Sequence, residues 1–228
     1  METTPSPPYT PKTLATCITA RHSTRLFTPD PVPASILRAC ATLATNAPSN
    51  SNTQPWRLRL AHGPARTRIV SALQSAANDH GPRIAPLPAE FNHFRSAMGH
   101  KLYGPEGWNI PRDDAAHHLE AQLRNYEFFG APVCGLVTLC DERLTAMDAM
   151  CVGLFVQNFV LALTERGLGS CLQVSVVGFP EVVRREFGVA KEEVLLCGIA
   201  IGWPAVHPVN VLDIGREDVD EVLILLDE

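Results

Sequence analysis

Charge and aromatic rings are both scarce in this chain. Of its 228 residues, 19% are Asp, Glu, Lys or Arg and 7% are Phe, Trp or Tyr, against 46% apolar residues. That balance excludes a disordered, collagenous or disulfide-scaffold protein. No apolar run reaches the length of a bilayer span, about 20 residues. The most apolar stretch, 151–163, has 13 residues and is interrupted by Gln157 and Asn158. No C-x-x-C occurs. The seven cysteines (Cys17, Cys40, Cys134, Cys140, Cys151, Cys171 and Cys197) are odd in number and mostly flanked by apolar residues. They read as buried free thiols of a reducing compartment. The opening METTPSPPYTPK has no apolar core, so residues 1–11 read as a flexible lead-in, not a secretory signal. A soluble, cytoplasmic protein with no membrane partner is expected.

Basic charge is also short overall. Twenty-four acids face nineteen Lys and Arg, for a net charge of −5 and a pI near 5.9. That excludes a general nucleic-acid binder, which needs a basic surface. The balance is uneven, however. Residues 1–70 hold eight Lys and Arg against two acids, while residues 71–228 hold eleven against twenty-two. A basic third on an acidic body points to a local anion site.

The familiar catalytic engines are missing as well. There is no G-x-x-x-x-G-K-[ST], no G-x-G-x-x-G after a strand, no G-x-S-x-G and no H-E-x-x-H. His117 and His118 are adjacent, so a helix cannot aim both at one metal, and no zinc site is expected. A chain without a strong catalytic group of its own usually borrows a cofactor.

What is present is an alternation of helical and extended patterns. Helices are expected over 12–22, from Ala34 to before Pro48, over 65–78 and 90–102, from Asp113 or Asp114 to about Phe128, from Asp148 to Arg166, and over 180–187. Gly167 and Gly169 read as stop signals for the helix ending at Arg166. Strands are expected at Trp56–Leu60, Pro132–Leu139, Val194–Ile201 and Val222–Leu226. The helix from Asp148 is apolar nearly all round, so it is central or lies in a subunit interface. The segment 79–111 has no clear period and is rich in proline, glycine and rings, including Phe91, Phe94, Tyr103 and Trp108. Such an excursion suits a lid or pocket wall, or equally a surface insertion without a role. No linker divides the chain, and one α/β or α+β domain fits its length.

Two polar clusters stand out. Arg21-His22-Ser23-Thr24-Arg25 offers two guanidinium forks with a hydroxyl between them, a set suited to a phosphate monoester, or simply to a solvated surface pair. Between two prolines, Ser49-Asn50-Ser51-Asn52-Thr53-Gln54 offers amides and hydroxyls suited to a polyol or a heterocycle edge, or simply to an Asx/Ser turn.

The run Arg21–Phe27, then Pro31-Val32-Pro33, then Ala47–Trp56 resembles the N-terminal signature of the FMN-dependent nitroreductase family. Arg124–Pro132, Gln157-Asn158, Gly167–Gln173, Gly198–Pro204, Pro208-Val209-Asn210 and Arg216 continue the resemblance in family order, over roughly 12–222. It implies an α+β nitroreductase-like fold, a mostly antiparallel central sheet flanked by helices, with residues 12–228 forming one FMN-binding domain. It also implies an intertwined homodimer with FMN in interface pockets. Arg21, His22, Ser23 and Arg25, completed by Arg216, would hold the flavin's phosphate and ribityl chain. Asn52 and Gln54 would meet its polar edge from either subunit. The backbone of Val174, Ser175, Val176 and Gly178 would lie beside the isoalloxazine, and Phe91, Phe94, Tyr103 and Trp108 would wall the substrate pocket.

The activity implied is ping-pong hydride transfer from NADH or NADPH through FMN to a nitroaromatic, quinone or activated alkene. Leu172, Val174-Ser175, Trp203 and Gly215 depart from the usual family residues. These departures motivate a second reading, an FMN-dependent oxidase or desaturase using oxygen. A third is a non-catalytic flavin-binding protein.

Overall fold

The computed structural model describes residues 12–226, so the expected lead-in, 1–11, lies outside the described residues. Its helices are α1 (Leu14–Ala20), α2 (Ala34–Ala44), α3 (Gly63–His80), α4 (Asn92–Tyr103), α5 (Ala115–Leu123), α6 (Ala146–Glu165), α7 (Pro180–Phe187) and α8 (Val219–Val222). Its strands are β1 (Trp56–His62), β2 (Val133–Leu139), β3 (Gly169–Gln173) and β4 (Val194–Gly202). They form one sheet in the order β1-β2-β4-β3, with every neighbouring pair antiparallel. The α+β class with an antiparallel sheet is therefore what the chain adopts.

The sheet is apolar on both faces because alternate side chains of its central strands serve two cores. Val133, Val137 and Leu139 of β2, with Ile199 and Ile201 of β4, pack under α2 and α6. Cys134, Leu136 and Ala200 point the other way, against α3, α7 and the buried rings Tyr126 and Phe128. Trp56 at the start of β1 stacks on Phe155 of α6, centroids 5.1 Å apart, and fixes that strand to the first core.

Five expectations need correction. The helix from Asp114 stops at Leu123 and continues as a 3-10 segment, Arg124–Gly130, in which Phe128 and Phe129 adopt φ of 54°. Left-handed backbone is strained for these residues, but it turns both rings into the core, and burial of two rings offsets the strain. Asp148, where the helix is expected to begin, is the third residue of α6; Thr145 caps, and the two close a reciprocal capping box. Gly169 does not stop the helix but opens β3. Only Gly167, with φ of 79°, makes the turn. The apolar run at 151–163 belongs to a 20-residue helix that is long and apolar enough to cross a membrane by length and composition, although half of it is buried in the protein. The expected last strand is absent among the described residues: 219–222 is a short helix, and Leu223–Leu226 is exposed and irregular. A short apolar run carries no periodic signal that separates a strand from an unpartnered arm.

Candidate active site

α1 ends at Arg21, whose backbone N–H donates to Cys17 O at 3.0 Å. The chain then runs extended beside β3, with a parallel bridge between Ser23 and Ser170 and Thr24 N donating to Ser170 O at 3.0 Å. Extended backbone alternates its side chains, so Thr24 turns inward and is buried. Its hydroxyl has no partner and fills the space a Cβ on Gly169 would need, 2.4 Å away. Arg21, Ser23 and Arg25 remain partly buried on the other side.

Arg21, Ser23 and Arg25 alternate with the buried Thr24 along one extended run beside β3. Burial pushes the Cys171 thiol of β3 up, opposed by the charge of Arg25, the Ser23 hydroxyl and the charge of Arg21. Among the described residues neither arginine has a carboxylate partner, and the one side-chain bond recorded for the pair runs from Arg25 to Ser23 O at 3.3 Å. Two partly desolvated guanidinium groups without a counter-charge fit a bound dianion such as a phosphate monoester. His22 is exposed and bonds its own chain, Nδ1 to Ala20 O at 2.8 Å.

A residue with no assigned role in the sequence holds this loop in place. Asn210 is 3% exposed. Its Oδ1 accepts from Arg25 N at 2.7 Å and Leu26 N at 3.2 Å, while Nδ2 donates to Leu26 O at 2.7 Å and Ala205 O at 2.9 Å. One amide thus satisfies four backbone groups and ties 25–26 to 205. Only its place in the Pro208-Val209-Asn210 block signalled it. Gln173 is a second such residue. It is 2% exposed and donates to Asn125 O at 2.8 Å, but its Oε1 has no partner.

β3 leads into the 3-10 segment Val174–Gly178. Val176 is fully buried against Gly198, so its side chain is committed to the core. Val174 is exposed and Ser175 partly so, which leaves those two and the backbone to face a ligand.

Asn52 and Gln54 lie elsewhere. Ser51, Asn52 and Gln54 all take positive φ, 48°, 57° and 47°, and Gln54 N donates to Ser49 Oγ at 3.0 Å. This tight turn precedes Trp56, which pairs through Leu139 to Val194, whereas Ser170 pairs to Ile201 and Val133. The two polar clusters therefore sit at diagonally opposite corners of the sheet, on the order of 25 Å apart from strand spacing and rise. Ser49 and Asn50 border a groove of about 410 Å³ whose opposite wall is Met147, Met150, Cys151 and Leu154 of α6.

The four candidate pocket rings make contacts of different kinds. Phe91 and Phe94 stack on each other at 6.4 Å and are exposed. Tyr103 comes near Arg25 instead: burial pushes its phenol up and the Arg25 charge opposes this. Trp108 lies under the Arg124 guanidinium at 4.4 Å and against His207 at 5.3 Å. Arg216 is exposed, and among the described residues its side chain bonds Gly215 O.

The sequence model of the Nitroreductase family matches residues 18–203. The chain is 33% identical over 221 residues to the nitrobenzene nitroreductase of Ectopseudomonas oleovorans, covering 91% of this chain and 94% of that one. It is 30% identical over 206 residues to the 4-nitrobenzoate reductase of Pseudomonas putida, covering 88% and 89%. Its fold is similar to that of the FMN-dependent nitroreductase NfnB from Mycobacterium smegmatis, solved with NADPH, at a TM-score of 0.85 and 30% identity over 93% of this chain and 97% of that one. With the motif blocks in order along an α+β chain, these matches place the protein in the nitroreductase family.

Proposed function

We propose that the chain is an FMN-dependent oxidoreductase that takes hydride from NADH or NADPH and delivers it to an electron-poor acceptor, a nitroaromatic, a quinone or an activated alkene. The observation that carries this reading is the run Arg21-x-Ser23-x-Arg25, extended beside β3 and partly buried, with no carboxylate partner for either arginine among the described residues. In the roles implied by the family, these three side chains hold the FMN phosphate, with Asn210 fixing the backbone of Arg25. The backbone from Val174 to Gly178 flanks the isoalloxazine. FMN, when bound, supplies the ring that accepts hydride from one partner and passes it to the next. The chain's own part is to orient donor and acceptor in turn over one face and to keep water away. The nitroreductase names of its relatives support the acceptor class.

The active form we propose is an intertwined homodimer. A five-carbon ribityl chain cannot join corners of the sheet that lie so far apart, so Asn52 and Gln54 reach a flavin bound to the partner copy. The exposed apolar side chains Met147, Met150 and Leu154 of α6, with Leu14, Ile18 and Leu43, suit the contact between copies. The exposed arm Leu223–Leu226 suits an exchanged segment, and Arg216 on that arm's approach would complete the partner's phosphate clamp. In this reading α6 is an interface helix and not a membrane span. Residues 12–228 act as one domain with 79–111 as its lid, in the cytoplasm, where the seven free cysteines stay reduced.

Purified protein should carry one FMN per chain, bleach anaerobically with NADPH or NADH, and recover colour when nitrobenzene is added. Bleaching by neither nucleotide, with reduction by an organic donor and recovery in oxygen, would favour the oxidase reading instead. Bound flavin that no donor reduces would leave a binding protein.

A further inference from the structure

Arg83 lies in the proposed lid segment, just past Gly81 and Pro82 at the end of α3. Its backbone is held by Tyr126, a fully buried ring whose hydroxyl accepts from Arg83 N at 2.6 Å and donates to Arg83 O at 3.4 Å. Its stem lies on Gly178. A Cβ built there would sit 2.4 Å from Arg83 Cβ and 3.1 Å from Cγ, so the close approach requires glycine. Its guanidinium stands over the Phe179 ring at 5.6 Å. The head group is exposed, and no carboxylate or carbonyl partner is recorded for it among the described residues. Arg59, Arg68, Arg124 and Arg166, in contrast, each face a carboxylate.

An arginine fixed at backbone, stem and ring has already lost most of the freedom that makes surface guanidinium groups weak ligands. It lies against the segment Val174–Gly178 that the proposed function sets beside the flavin. We infer that Arg83 is a specificity residue that receives an oxyanion of the small molecule docked over that segment. Its planar fork suits a carboxylate on an electron-poor aromatic acceptor, or a phosphate of the nicotinamide donor. The inference rests on the oxidoreductase reading and adds to it a preference for anionic partners.

The test compares wild type with Arg83→Gln and Arg83→Lys as FMN-loaded enzymes, using 4-nitrobenzoate and its neutral counterpart 4-nitrobenzamide as acceptors. Arg83→Gln should lower kcat/KM for 4-nitrobenzoate about 10- to 100-fold and leave 4-nitrobenzamide within about threefold. Arg83→Lys should recover part of the loss. Stopped-flow bleaching by NADPH and NADH reads the other source: a loss confined to that half-reaction assigns the oxyanion to the nucleotide. Calorimetric binding of 4-nitrobenzoate to unreduced protein needs no turnover and should weaken in parallel where the acceptor is the source. Equal losses on both acceptors, or no change in either half-reaction or in binding, would overturn the role of Arg83. Failure of wild type to reduce any acceptor would instead overturn the parent reading, and the binding measurement would still decide the anion site.

Discussion

Replacing Asn210 by alanine removes four hydrogen bonds with one side chain. Arg25 N and Leu26 N lose their acceptor, and Leu26 O and Ala205 O lose a donor, at a position 3% exposed to solvent. A hydrogen bond contributes about 1 kcal/mol net, and a buried group left unpartnered costs about 1–3 kcal/mol. Water entering the vacated space recovers part of this, so the expected loss is about 3–5 kcal/mol. That is a large share of the roughly 5–15 kcal/mol that holds a typical domain folded. Urea unfolding should show a lower midpoint with an unchanged slope. FMN affinity should fall as well, because Arg25 is no longer held beside Arg21. Asn210→Asp separates the two halves of the argument. It keeps an acceptor for the two N–H groups but turns a carboxylate oxygen toward two carbonyls. Its carboxyl pKa should therefore be raised in the folded protein, making the variant least stable at neutral pH and more stable on acidification. An Asn210→Ala protein that unfolds within about 1 kcal/mol of wild type and binds FMN normally would refute the reasoning.

Three further outcomes follow from the same geometry. Arg21→Ala and Arg25→Ala should each weaken FMN binding about 10- to 100-fold, as expected for a lost charge-assisted bond, measured by fluorescence titration of the flavin-free protein. Leu154→Arg, on the exposed face of α6, should yield monomers in sedimentation and lose FMN with them; a flavin-replete dimer would count against the proposed interface. Glu193 is buried between Arg59, at 2.6 Å, and Thr138, and its carboxyl is held below the usual range by the Arg59 hydrogen bond, against the cost of burial. A depressed carboxyl stabilises the fold above its unfolded pKa and loses that contribution as pH falls through the folded value. Wild type should therefore lose stability on acidification below about pH 4.3. Glu193→Gln should start roughly 2–4 kcal/mol lower at neutral pH and show a shallower acid loss.

The helices and three strands that form the sheet core could be read from the sequence because their apolar spacing has a period. Trp56–Leu60, Pro132–Leu139 and Val194–Ile201 alternate or run apolar between turn residues, and all became strands. β3 was missed because five residues beginning Gly169-Ser170 carry no such signal, and their pairing to β4 is a long-range event. The arm at Leu223–Leu226 departs from its expected strand for the converse reason, an apolar run with no strand partner among the described residues. At the site, Arg21, Ser23 and Arg25 stand out in the sequence because two cations flanking a hydroxyl suit an anion, although a solvated surface pair has the same pattern. Asn210 and Arg83 do not, because each owes its place to a partner distant in sequence, the backbone of Leu26 and the Tyr126 hydroxyl respectively. The aromatic residues of 79–111 are grouped by proximity in sequence, but in the fold Tyr103 meets His118 and Trp108 meets Arg124, while Phe91 and Phe94 stack on each other and are exposed.

The central claim is that Arg21, Ser23 and Arg25 form a phosphate clamp for a flavin mononucleotide. The most direct measurement is a titration of the flavin-free protein with FMN and, in parallel, with riboflavin, which differs only in lacking the phosphate. If the clamp exists, FMN binds at least about 100-fold more tightly, as two charge-assisted contacts require, and raising the ionic strength narrows the gap. Equal affinities for the two flavins would contradict the account.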